Sequence, residues 1–124
     1  MQLQITNISE QKGCIRLAIF DSADHFEAET APIFTKVIEL ESAADISVDI
    51  PSLGEGEYAV AAYHDVNNNG KLDKNGLGIP QEPYAFSNNA SAKWKAPTFQ
   101  EVAFDPSTYE GTIMQLELKR WADR

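Results

Sequence analysis

The sequence has one cysteine, Cys14, so no disulfide within the chain can brace the fold. Cys14 lies in the apolar run from Gly13 to Phe20, which reads as a buried, inert thiol rather than a nucleophile. Cations are scarce: 10 Lys and Arg stand against 19 Asp and Glu, a net charge of −9, and the longest basic cluster is the pair Lys119–Arg120. Without a positive footprint, nucleic acid and anionic lipid are poor partners, whereas cations are better ones. Over most of the surface the surplus acid equally serves solubility. No apolar run is long enough for a membrane-spanning helix, and the apolar share of 43% is too high for a disordered tail.

Catalytic patterns are missing too. His25 and His64 stand apart, and neither belongs to a Cys/His cluster with zinc spacing or to a Ser-His-Asp constellation. Each reads as a structural or solvated histidine. Glu55 and Glu57 flank a turn, but so acidic a chain has such pairs by chance, so glycosidase chemistry gains no support. No residue is assigned a catalytic role, and the chain is expected not to be an enzyme. It begins a strand pattern at Met1-Gln2-Leu3 with no leader ahead of it, which fits a cytoplasmic protein or a mature domain whose leader has been removed.

What is present is a period of two. Leu3 and Ile5 lead into Ile8; Ile15, Leu17 and Ile19 alternate with Arg16 and Ala18; Phe34 to Leu40 follows as a third strand. Ile46, Val48 and Ile50 form a fourth, and Tyr58, Val60 and Ala62 a fifth. Val102 to Phe104 is a short candidate, and Met114, Leu116 and Leu118 give the clearest strand, the last. The one helical candidate is Ser22 to Glu29, with Ser22 as its cap. Six or seven strands without crossover helices predict a single all-β domain over 1–124: an immunoglobulin-like, Greek-key antiparallel β-sandwich of about seven strands, with a long loop before the last strands. A monomer or weak oligomer is expected. Tyr58, after the turn Leu53-Gly54-Glu55-Gly56, is either a tyrosine corner bonding back to upstream backbone or simply a core aromatic.

From Asp65 to Glu101 the periodicity fails and Asn, Gly and Pro gather. Connections of that length in a compact domain are functional or tied down. Asp65, Asn67, Asn69 and Asp73 take relative positions 1, 3, 5 and 9 of a calcium loop, with Gly70 at 6 and the Lys71 carbonyl at 7. Position 12 carries Gly76 instead of a bidentate glutamate, and Glu82 is the nearest carboxylate downstream to replace it. With Asp65 and Asp73 as the certain anions, affinity for Ca²⁺ falls on the order of 10⁻⁴ to 10⁻³ M, which suits a site filled outside the cytosol. Mg²⁺ fits less well, because it demands tight octahedral geometry. The competing reading is a metal-free turn: Asn69-Gly70 is a strong turn signal, and Asn and Asp bond their own backbone.

Tyr84, Phe86, Trp94 and Phe99 crowd the same stretch. They serve either as anchors that hold the loop on the sandwich or as a platform for a glycan, a peptide or an envelope protein. The second use defines the alternative function, a binding module built on the 78–99 loop.

The strings GEYAVAAYHDVNNNGKLD at 56–73 and GIPQEPYAFSNNA at 78–90, with PTFQE at 97–101, closely resemble the bacterial domain of unknown function family 2141. The opening strands fit it as well. The resemblance implies a small exported protein without established activity, and hence a periplasmic or extracellular location.

Overall fold

The computed structural model describes residues 1–42, 44–70, 82–90 and 97–120. Among the described residues, seven strands form two sheets. The first sheet has β1 (Gln2–Thr6) between β4 (Ile46–Asp49) and β7 (Ile113–Glu117). In the second, β2 (Cys14–Phe20) and β5 (Ala59–Asp65) lie at the centre, flanked by β3 (Phe34–Glu39) and β6 (Tyr84–Phe86).

Alternation decides which face of each strand meets the other sheet. Leu3 and Ile5 sit opposite Met114 and Leu116 on β7, and Leu3 also opposite Val48 on β4. From the second sheet Ile15, Leu17, Ile19, Val60, Ala62 and Ala85 point inward to meet them, and this set is buried as one core. Each buried Val, Leu, Ile or Met side chain among them contributes about 1.5–3 kcal/mol by leaving water.

Among the described residues pairing is antiparallel with one exception: β1 runs parallel to β7, in register from Gln2↔Ile113 to Thr6↔Glu117. These two strands are the farthest apart in the chain, so no short turn dictates their direction. The 65–101 stretch also departs from a plain loop, since it contains β6 and runs into the one-turn helix α2 (Phe99–Val102). Val102 therefore ends a helix, and Phe104 makes an isolated bridge to Tyr58. The Tyr58 ring packs on Phe104 with centroids 6.4 Å apart, and its phenol turns back over Gly54.

Two short helices cover one end of the outer face of the second sheet. Helix α1 (Ala23–Ala28) starts where the Ser22 hydroxyl accepts from the His25 amide at 3.2 Å. Its Phe26 meets Phe20 edge-on at 5.6 Å, and a second cluster forms there with Ala59 and Val102, against which Phe86, Ala90 and Phe99 pack. Among the described residues no helix is long and apolar enough to cross a membrane.

The triplet Ser87-Asn88-Asn89 joins these parts. The buried Ser87 hydroxyl accepts from the Val60 amide at 3.0 Å and donates to the Val102 carbonyl at 2.5 Å. Asn88 donates to the Ala103 carbonyl at 2.9 Å. The Asn89 carboxamide reaches β7 in the other sheet, accepting from the Glu117 amide at 3.2 Å and donating to the Gln115 carbonyl at 3.5 Å. Both asparagines hold left-handed backbone, at φ 63 and 50°, a conformation that asparagine tolerates better than most residues. Beside them Tyr84 and Lys119 exchange two backbone bonds of 3.0 Å, so the sheets are tied along this edge.

Ser87→Ala is expected to cost about 1–3 kcal/mol, because it strands a buried donor and a buried acceptor together. Urea unfolding checks this: the midpoint falls at unchanged slope, and a midpoint equal to wild type would remove the hydroxyl from this role.

Candidate functional site

The site forms where β5 ends. Asp65 is its last residue, directly opposite Cys14 on β2, while Arg16 faces Tyr63, the neighbour of Asp65 on the same face of β5. Arg16 and Asp65 are thus diagonal cross-strand neighbours, within reach for long side chains. The Asp65 side chain is fully buried, and Arg16 Nε donates to its Oδ2 at 2.7 Å.

After Asp65 the chain turns sharply. The Asn68 amide donates to the Asp65 carbonyl at 3.2 Å, Asn68 takes φ 58° and Gly70 takes φ 78°. This sequence of angles suits Asn and Gly and few other residues. It aims two successive amides at the carboxylate: Asn69 N–H at Oδ1, 3.1 Å, and Gly70 N–H at Oδ2, 2.8 Å. The Asn69 amide also lies 3.3 Å from Asn67 Oδ1. Glu82, returning beside the turn, accepts from the Val66 amide through Oε2 at 2.8 Å.

Burial alone pushes the Asp65 carboxyl up. The Arg16 hydrogen bond and the amides of Gly70 and Asn69 more than reverse this, and it lies below the ordinary carboxylate range. The carboxylate is therefore ionised at neutral pH. Burial works unopposed enough on Tyr63 to push its phenol up to about 12, and it raises the Cys14 thiol, whose Sγ rests 3.0 Å from Asn68 Oδ1.

Of the residues that the sequence offers as metal ligands, Asp65, Asn67 and Asn69 from the loop spacing and Glu82 as the nearest downstream carboxylate gather around this one turn. Lys71 and Asp73 lie outside the described residues, as does Trp94. Among the described residues no group of three or more His, Cys, Asp and Glu side chains is arranged to hold a metal. Of the other aromatics, Tyr84 is fully buried and Phe86 and Phe99 pack against Phe26, so these three anchor the chain to the sheet.

Two residues that periodicity treats as ordinary belong to the site. Arg16 is the sole cation in the strand Cys14–Phe20, a signal legible only once β2 is laid beside β5. Gly13, at φ 73°, passes so close to the turn that a Cβ there would stand 2.0 Å from the Asp65 carbonyl oxygen. His64 faces the core with Nε2 2.6 Å from the Lys12 carbonyl, and among the described residues its buried Nδ1 has no partner. Next to the turn, the outer face of the second sheet carries a groove of about 590 Å³. The facing pair Ala18–Ala61 leaves this space, and Arg16, Tyr63, Phe86 and Phe26 border it.

A family model described as "Uncharacterized protein conserved in bacteria (DUF2141)" matches residues 3–113. No curated protein and no solved structure matches the chain.

Because the Asp65 carboxyl is lowered in the folded state, its stabilisation is present in full above the unfolded value of 3.8 and is lost as pH falls through the folded value. Thermal melts between pH 7 and pH 2 are expected to show a steeper acid decline for wild type than for Asp65→Asn. Parallel declines in the two proteins would contradict this account of the carboxylate.

Proposed function

Since the chain belongs to the DUF2141 family of bacterial proteins, we propose, from its own residues, that it is a non-enzymatic β-sandwich module whose 65–73 loop binds a structural calcium ion outside the cytosol. The observation that carries this reading is the turn at Asp65. A buried, ionised carboxylate draws in the amides of the fifth and sixth loop residues, so the chain is curled before any ion arrives. Asn67 and Asn69 then stand on the same curl, and the Glu82 carboxylate lies against its first amide. The ligand set on this reading is Asp65, Asn67, Asn69, the Lys71 carbonyl, Asp73 and Glu82. Oxygen donors of mixed charge in an adaptable loop suit Ca²⁺ better than Mg²⁺. The location follows from weak affinity, since a site of this strength fills only where calcium is abundant.

The groove supports a second reading, a binding module for a glycan, a peptide or an envelope protein. Phe86, half-buried, borders it from the aromatic part of the chain.

Binding to the native state alone stabilises it by about 1.4 kcal/mol when free calcium exceeds Kd tenfold. The melting temperature is therefore expected to rise by several degrees in millimolar calcium relative to chelator, with a smaller rise in magnesium and in Asn67→Ala. Asn67 is the better variant because Asp65→Ala would also leave Arg16 and two amides without their acceptor. A wild-type melt identical in calcium and chelator would remove the ion from this proposal.

A further inference from the structure

Asp65 already has a cation. Arg16 Nε and the Gly70 amide both donate to Oδ2, and the Asn69 amide donates to Oδ1. An ionised carboxylate offers about four acceptor sites, so these donors take most of its capacity. A divalent ion at this turn would coordinate beside the guanidinium or in its stead. Arginine keeps its charge at every pH the fold survives, so the repulsion between the two cations cannot be relieved by losing a proton. The guanidinium also has somewhere to go: its side chain is 31% exposed and borders the groove beside Ala18 and Ala61.

We propose that Arg16 is the resident cation of this turn: it holds the Asp65 turn in shape without metal, and a divalent ion binds only in competition with it. The competition rests on the calcium reading above, whereas the holding role stands on the ion pair alone. Arg16 is thus the residue that sets the affinity of the loop, although it is no ligand itself and lies on a different strand.

The test uses Arg16→Gln, which removes the charge and keeps a donor, with Arg16→Lys retaining the charge. Calcium chloride is titrated by calorimetry, and exchange of the Asn69 and Gly70 amides is followed by NMR in chelator. Arg16→Gln is expected to bind calcium at least tenfold more tightly than wild type and to lose at least tenfold in amide protection until calcium is added. Arg16→Lys should stay within threefold of wild type in affinity. In the unaltered protein the Arg16 Nε–H resonance should shift as calcium is added, which keeps the proposal testable if the glutamine variant does not fold. Binding by Arg16→Gln but not by wild type would overturn the calcium reading of the native chain and uphold the arginine as the blocking cation. Equal or weaker binding by Arg16→Gln, or an Nε–H resonance that stays put while wild type binds, would overturn the competition and leave the calcium reading standing. Full protection of both amides in the glutamine variant would overturn the holding role, and absence of binding in every protein would overturn both the competition and the calcium reading.

Discussion

A fully buried carboxylate has to be met donor for donor, and around Asp65 this requirement organises the chain on all sides. It needs a cation from the neighbouring strand, which Arg16 provides, and two amides turned back from its own loop, which Asn69 and Gly70 provide. Those amides point inward as the chain reverses through left-handed backbone at Asn68. The turn so formed lies hard against Gly13, where no side chain fits, and Glu82 closes it from the returning segment. Replacing any one of these residues therefore disturbs the others.

The opposite end of β5 solves a related problem with neutral groups. β6 has three residues, too few to satisfy every amide of β5, and the Ser87 hydroxyl takes over where its backbone ends. Asn89 does the same for β7, its carboxamide standing in for a peptide group against the strand edge. Side chains acting as surrogate backbone let a short strand seal a sheet that would otherwise end in open donors.

Strands whose inner face is wholly apolar were legible from the sequence: Leu3 and Ile5, Ile15 to Ile19, and Met114 to Leu118 show the period of two because one side of each meets the core and the other does not. Ser22 likewise marked the start of α1. β6 was not legible, since three residues with Tyr84 and Ala85 both buried have no period to display. Val102 to Phe104 reads as a short strand, yet the reciprocal bonding of Thr98 and Glu101 winds the chain into a turn of helix that ends at Val102, and only Phe104 bridges. At the turn, loop spacing singles out Asp65, Asn67 and Asn69, and Glu82 enters as the nearest carboxylate downstream. Arg16 and Gly13 stayed hidden because their roles arise from strand pairing across about fifty residues of chain, which no local pattern encodes.

The parallel alignment of β1 with β7 has a mechanical meaning. A pull on the chain ahead of Gln2 and beyond Glu117 drags these two strands past each other along their length, and the ladder from Gln2↔Ile113 to Thr6↔Glu117 bears that load with its bonds side by side. Bonds arranged this way share tension and must yield together, whereas a hairpin opened from its end surrenders them singly. β1 and β7 thus form a shear joint, set along the direction in which the chain would transmit a pull.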